Sequence, residues 1–463
     1  MTDLPRRRLL TASLATSLAG SLATVAATAL PGAAVAAAPN AAGRKPLAPT
    51  PPMGWNSWNS FGPTITEAQA LENAQIMAQK LLPSGYDVFT VDIQWYEPKA
   101  NSYTYRKDAE LTMDAYGRLL PAPNRFPSAA NGKGFKALAD QVHRMGMKFG
   151  IHLMRGIPRQ AVRMNTPILG TNLRAQDIAD TTSMCEWNGD MYGVDMSKPG
   201  AQLYYDSVFK LYASWGVDFI KMDDMSRPYD KYWPEVEAAH KAIAASGRAI
   251  TLSLSPGEMD LKWALHVPHY AQMWRISDDF WDEWKLLNEQ FQRLENWNPV
   301  LGADSWPDAD MLPLGRLALG ERNTKFTPDE QQTLMTLWSI ARSPLIMGGD
   351  LRHLDAPTLA LLTNPEVLAV NQKSNDNRPH RADPGTRIWS ARPNGARAGV
   401  YYLALFNTED KPVDIAFDLS RLNLGNKTVA VRDLWARQDR APARGVIRQA
   451  LAPHASALLR VTA

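Results

Sequence analysis

Eight short β-rich runs follow one another between residues 53 and 347, and the stretches that separate them are long enough to carry a helix each. The runs fall at 53–58, 87–92, 148–153, 217–223, 249–255, 272–277, 300–303 and 344–347; stretches 66–82, 134–147, 201–215 and 233–245 have helical period. Strand–helix alternation predicts a parallel sheet, because parallel neighbours need a crossover that a helix supplies. Eight repeats favour closure into a (β/α)8 TIM barrel over an open sheet. The chain has 463 residues, and such a barrel takes roughly 250 or more, so about 45–374 is assigned to it. After residue 371 the character changes. Residues 375–386 are polar and punctuated by Pro and Gly, the composition of a linker. Runs at 387–390, 399–406, 413–417, 428–434 and 456–461 lack helical period and predict a C-terminal antiparallel β-sandwich domain over 387–463.

Barrel active sites form at the C-terminal ends of the strands and in the loops that follow. Those ends here carry Trp58, Asp92, His152, Asp223, Ser255, Asp279 and a stretch from Asp304 to Asp310. Singly, an Asp after a strand is most often a helix N-cap, and a lone His is more often a hydrogen-bonded wall residue than a ligand. Several carboxylates, an indole and an imidazole on one face point instead to chemistry. The 15 tryptophans suit either sugar stacking or core filling.

Other features narrow the classes. Lys+Arg 50 against Asp+Glu 47 leaves a formal charge of +3, too balanced for nucleic-acid binding. The single cysteine, Cys185, excludes an intrachain disulfide and a Cys-based zinc cluster, and no metal or other cofactor is expected. At the N-terminus, Arg6, Arg7 and Arg8 precede a weakly hydrophobic Ala/Leu/Ser/Thr stretch and small-residue cleavage sites near 34–38. This predicts a twin-arginine export signal over 1–38 and a periplasmic or extracellular protein. Its serines, threonines and glycines make it a poor membrane anchor, and no later stretch is apolar enough to span a bilayer. Oligomeric state is not legible.

Five motifs in order resemble glycoside hydrolase family 27, the α-galactosidase clan: Pro51-Pro52-Met53-Gly54-Trp55-Asn56-Ser57-Trp58; Gly216-Val217-Asp218-Phe219-Ile220-Lys221-Met222-Asp223; Trp274-Arg275-Ile276-Ser277-Asp278-Asp279-Phe280-Trp281-Asp282; Trp306-Pro307-Asp308-Ala309-Asp310-Met311-Leu312; and Ser343 to Arg352. The resemblance implies a retaining glycosidase in which Asp223 is the nucleophile and Asp279 the general acid/base. It also implies substrate contacts from Trp58, Asp92, His152, Lys221, Ser255 and Arg275. Lys221 should keep Asp223 ionised, while Phe280, Trp281 and Trp274 should give Asp279 a less polar setting. Asp224 and Asp278 are neighbours that should face away, since successive residues of an extended chain alternate sides.

The departures concern sugar recognition. α-Galactosidases of this family carry an Asp-Asp pair after the second strand; here Asp92 is followed by Ile93 and Gln94. The third strand ends in His152-Leu153-Met154-Arg155 instead of a Tyr, the fifth in Ser255-Pro256-Gly257-Glu258 instead of Cys-Glu-Trp, and Met225 replaces a half-cystine. The leading expectation is hydrolysis of terminal α-galactosides. The alternatives are the same chemistry on a β-L-arabinopyranoside or an isomaltose-type α-glucoside, and a non-catalytic carbohydrate binder. Gln94, His152 and Arg155 are candidates to replace the missing carboxylate.

Overall fold

The computed structural model describes residues 46–463; the segment read as an export signal lies outside them. β1 (Met53–Asn56), β2 (Val88–Val91), β3 (Lys148–Met154), β4 (Phe219–Asp223), β5 (Thr251–Leu254), β6 (Met273–Arg275), β7 (Trp306–Asp308) and β8 (Leu345–Met347) form one parallel sheet in the order β7-β6-β5-β4-β3-β2-β1-β8. Strands adjacent in sequence are therefore adjacent in space, and β8 returns to pair with β1. The ring closes just beyond β7, where Leu312 bridges Met347 and its N–H donates to Ile346 O at 2.7 Å. This is a (β/α)8 barrel. Its strands are buried almost throughout, as expected when helices cover one face and barrel side chains fill the other.

The helices start where local chemistry lets them. α1 (Glu67–Lys80) opens on a reciprocal capping box between Thr66 and Gln69, and α6 (Pro328–Ile340) on another between Thr327 and Glu330. Between them, α2 (Lys136–Arg144), α3 (Ala201–Ser214), α4 (Tyr229–Ser246) and α5 (Trp284–Trp297) cover the wall. After β5 there are only two 3-10 turns, Leu261–Trp263 and Val267–His269, in a stretch broken by Pro256, Gly257 and Pro268. The β3–α3 connection instead grows a three-stranded antiparallel flap from Ile157–Pro158, Ala179–Met184 and Met191–Val194.

The seventh strand is not at 300–303. Pro299 puts Asn298–Val300 into a 3-10 turn, Gly302 and Ser305 close a tight bridge, and the strand is Trp306–Asp308. The stretch 375–386 is not a linker either. Ser374–His380 is an edge strand, β9, paired antiparallel with β10 (Thr386–Pro393). Its Pro379 is tolerated because an edge strand has one unpaired side.

The C-terminal strands continue with β11 (Val400–Asn407), β12 (Val413–Asp418), β13 (Thr428–Asp433), β14 (Gln438–Arg444), β15 (Val446–Leu451) and β16 (Ser456–Thr462), one antiparallel ladder folded over its own core. Strand alternation explains how it seals against the barrel. On β11, Leu403 and Leu405 join the domain's own core with Phe417 and Ile447, whereas Tyr402, Ala404 and Phe406 join the barrel's core. At the seam the His454 ring stacks on Trp284 at 3.7 Å and bridges Glu330 and Asp410, 2.8 Å from each. Among the described residues no helix is long and apolar enough to cross a membrane.

Candidate active site

The strand ends converge as a closed barrel requires. β4 ends in Asp223, whose Oδ2 lies 2.9 Å from His152 Nε2 on neighbouring β3. Asp223 Oδ1 is buried as well. Two residues earlier on the same face of β4, Lys221 donates to Asp92 Oδ2 at 2.9 Å. Asp92 also accepts from Asn56 Nδ2 at 2.7 Å and from its neighbour's backbone, Ile93 N, at 2.8 Å. Burial alone would raise the carboxyl of Asp223. The Lys221 ammonium and the His152 hydrogen bond override that and hold it well below the usual carboxylate range. Asp92 is lowered by the same balance, burial being outweighed first by Lys221. For the ammonium the sign is the reverse: burial opposes its charge, and Asp92 and Asp223 restore it and push it up. The three groups stabilise one another's ionised forms.

Arg275, at the end of β6, is the second organiser. Its guanidinium lies 2.7 Å from Asp310 Oδ2 and 3.4 Å from Asp279 Oδ1, and its charge is also sustained by Asp308 and Asp223. Asp223 and Asp279 thus share a cationic neighbour. Asp310 has a left-handed backbone, φ 84°, and accepts from Phe280 N and Met311 N at 2.7 Å each, so it fixes the turn on which Asp279 sits. Asp308, buried at the end of β7, is pushed up to about 7 by burial, against the pull of Arg275 and with help from Asp310. Ser255 and Ser277, just past β5 and β6, have buried hydroxyls, and that of Ser255 helps to lower the Asp223 carboxyl.

Adjacent acids are sorted as alternation demands. Asp224, φ 62°, turns away from His152 and accepts from Arg155 Nη2 at 2.9 Å; burial pushes it up to about 6 against that pairing. Asp278 is half exposed and pairs with Arg227 at 2.6 Å. Trp274 packs on Trp297, Phe280 on Trp338, and Trp281 meets Tyr103, while the Arg275 guanidinium lies 3.4 Å from Asp279 Oδ1.

Two of the three groups considered as substitutes for a second sugar-reading carboxylate are committed elsewhere. Gln94 donates to Asp190 Oδ2 at 2.9 Å, alongside Tyr96 OH. Arg155 is buried between Asp224 and Glu235, 2.6 Å from the latter, with its guanidinium 3.7 Å over the Tyr232 ring. Only His152 stays in the cluster. Glu258 is exposed and pairs with Arg293. Trp58 begins the short helix Trp58–Phe61; its N–H donates to Asn56 Oδ1 at 2.8 Å and its ring stacks near Tyr105. Sequence reasoning missed Asn56, which is the last residue of β1 inside a motif already singled out. It left Asp308 and Asp310 without roles, although their i, i+2 spacing at a strand end is a same-face signal.

The comparisons agree with this architecture. The sequence matches the family described as alpha galactosidase A over residues 50–198 and 193–373, and the alpha galactosidase C-terminal beta sandwich domain over 383–461. It is 30% identical over 426 residues to the α-galactosidase of Coffea arabica, covering 90% of this chain and 94% of that one. It is 28% identical over 414 residues to the α-galactosidase of Oryza sativa, covering 88% and 84%. A solved structure similar to this chain is the family 27 β-L-arabinopyranosidase of Geobacillus stearothermophilus in complex with arabinose. It has a TM-score of 0.88 and 49% identity, over 90% of this chain and 98% of that one. With two family domains matched end to end and the acidic strand ends gathered around Lys221 and Arg275, the chain belongs to the α-galactosidase family, glycoside hydrolase family 27, and is an α-galactosidase-like glycoside hydrolase.

Proposed function

We propose that this enzyme is a retaining β-L-arabinopyranosidase, with Asp223 as nucleophile and Asp279 as general acid/base. In the first step a carboxylate oxygen of Asp223 attacks the anomeric carbon. The bond to the leaving oxygen breaks as Asp279 protonates it. In the second step Asp279 takes a proton from water, which attacks the glycosyl ester and frees Asp223 with the original configuration. Lys221 and His152 keep the nucleophile ionised, and Arg275 holds Asp279 in place.

The glycone reading rests on the end of β2. It presents one carboxylate, Asp92; the next residue, Ile93, is wholly buried and apolar, and the next, Gln94, has its amide bound to Asp190. β-L-Arabinopyranose is α-D-galactopyranose without the exocyclic hydroxymethyl group. A galactoside would carry a 6-hydroxyl into a wall without an acceptor, at about 1–3 kcal/mol for an unpaired buried polar group, or roughly one to two decades in rate. The five-carbon glycone has no such group to leave unpaired. The 49% identity to an arabinopyranosidase supports the same reading.

The test is a matched pair of nitrophenyl glycosides. kcat/KM on the β-L-arabinopyranoside should exceed that on the α-D-galactopyranoside at least tenfold, and Ile93→Asp should move the ratio tenfold toward the galactoside. A wild-type preference for the galactoside would overturn the glycone and return the enzyme to α-galactosidase status, the reading favoured by its plant relatives. Proton NMR of the first-formed sugar should show retention; inversion would remove Asp223 as nucleophile. We also propose export through the twin-arginine signal at Arg6-Arg7, which places the enzyme with polymeric carbohydrate outside the cytoplasm.

A further inference from the structure

Arg155, the first residue after β3, is buried and takes no part in the two-step chemistry. It nevertheless grips the nucleophile's strand end through both backbone and side chain. Its backbone N–H donates to Asp223 O at 3.0 Å. Its Nε donates to Asp224 O and to Asp224 Oδ2 at 3.1 Å each, and Nη2 donates to the same carboxylate oxygen at 2.9 Å. Asp224 is the residue whose left-handed backbone, φ 62°, turns the chain just past the nucleophile. That conformation is uncommon for a residue with a side chain, and the guanidinium ties down both its carbonyl and its carboxylate.

The other end of the guanidinium reaches away from the site. Nη1 donates to Glu235 Oε1 on α4 at 2.6 Å. Glu235 Oε2 in turn accepts from Tyr205 OH on α3 at 2.5 Å and from Val194 N on the flap at 3.2 Å. The Tyr205 hydroxyl oxygen accepts from Gly156 N at 3.0 Å, which closes the circuit beside Arg155. The flap also packs on the guanidinium itself, since a Cβ at Gly193 would lie 2.6 Å from Arg155 Nη1. Asp224 and Glu235 are both buried, and each finds its cation in Arg155. A rigid planar fork can meet two carboxylates at once, where a lysine offers a single point charge.

We infer that Arg155 is a positioning residue for hydrolysis: it fastens the turn at Asp224 to α4 and the flap, and so sets the direction in which Asp223 presents its carboxylate. The inference rests on Asp223 as the nucleophile and is independent of the glycone. Arg155 acts through the backbone of Asp223 and through Asp224, so loosening it should slow bond formation and leave sugar binding alone.

Arg155→Ala would strand two buried carboxylates, so gentler changes carry the test. Asn keeps the shape of Asp and its tolerance of a left-handed backbone, and Asp224→Asn therefore removes the charge alone. It should lower kcat by roughly 10- to 100-fold, the scale of a small misplacement at the reacting atoms. KM and the inhibition constant of the released sugar should change less than about twofold, since only an interaction felt in the transition state is lost. Arg155→Lys should behave alike, because one ammonium cannot replace the fork. The double variant should lose about as much as the worse single one, since the pair acts as a unit. Gly193→Ala, which crowds the guanidinium from the flap, should repeat the kcat loss more weakly. All rates are taken per folded molecule, with near-ultraviolet circular dichroism as the measure of folding. A kcat for folded Asp224→Asn equal to that of the unaltered enzyme would overturn the inference. So would a matching loss of sugar binding, or losses that multiply in the double variant. Unchanged kcat in Asp223→Ala would overturn the nucleophile instead, and the clamp with it.

Discussion

The strand-end face of the barrel and the core of the C-terminal sandwich are both buried, and their contents are opposite. The sandwich core is assembled from Ile388, Leu403, Leu405, Ile415, Phe417, Val429, Val431, Ile447 and Leu459, with no charged side chain among them. The barrel face buries Asp92, Asp223, Asp308, Asp310, His152 and Arg275, and among the described residues leaves buried polar atoms such as the Ser277 hydroxyl unpaired. Apolar burial stabilises by about 25 cal/mol per Å², whereas an unmet buried polar group costs about 1–3 kcal/mol. The sandwich therefore supplies stability, and the barrel face gives stability up in order to hold charges ready for a substrate. Tyr402, Ala404 and Phe406 connect the two, because alternate residues of one strand serve both cores.

The contrast predicts that substitutions in the two places fail in opposite ways. Asp223→Ala should lower kcat by roughly 10⁴-fold or more with a small change in Tm. Asp279→Ala should slow substrates with poor leaving groups far more than activated ones, since only the former need the proton. A large drop in Tm for Asp223→Ala would mean that the charges also hold the barrel together. Were Asp278→Ala to show the leaving-group dependence instead, the acid/base would be the neighbouring residue.

In the sandwich, Phe417→Ala should cost about 3–5 kcal/mol of stability, read as a fall in the denaturant midpoint, with kcat/KM of the remaining folded enzyme unchanged. Loss of activity in proportion to nothing but folded fraction is the expected result. A lowered kcat per folded molecule would show that the sandwich shapes the site.

The smallest effect is a pH dependence. The folded-state value for Asp308, about 7, lies above the ordinary carboxylate value of 3.8, so the folded enzyme binds a proton that the unfolded chain releases. Stability from this group is fully present below about pH 3.8 and is lost as pH rises toward 7, at a slope of up to ~1.4 kcal/mol per pH unit. Asp308→Asn should remove that slope between pH 5 and 7, making the variant relatively more stable at pH 7.5 than at pH 5. A Tm–pH profile parallel to wild type would place the titration on another carboxylate.

Much of the site was legible because period and position carry it. Asp223 and Lys221 share a strand face by their i, i+2 spacing, Asp92 and His152 end their strands, and Asp224 and Asp278 turn away by alternation. Other parts were hidden for identifiable reasons. Val300 to Ala303 reads as a strand until Pro299 and the Gly302–Ser305 bridge turn it into a loop. Residues 375–386 read as a linker because the edge strand Ser374–His380, with one solvated side, needs no apolar alternation. β14, with the sequence QDRAPAR, lies between β13 and β15 in the sheet, but its side chains are nearly all exposed, so it carries no apolar alternation.

What residue order settles here is what depends on near neighbours: strand–helix alternation, capping boxes at Thr66 and Thr327, and which of two adjacent acids faces inward. The partner of a long polar side chain is another matter, because the candidates lie far apart in sequence and compete. Arg155 and Gln94 both stood near the pocket as potential sugar ligands. The fold gave Arg155 to Asp224 and Glu235, 69 and 80 residues away, and Gln94 to Asp190, 96 residues away. A buried charge or amide must take whichever partner the packed chain brings within 3 Å, since leaving it unpaired costs more than any local preference returns, and only the closed barrel brings those partners together.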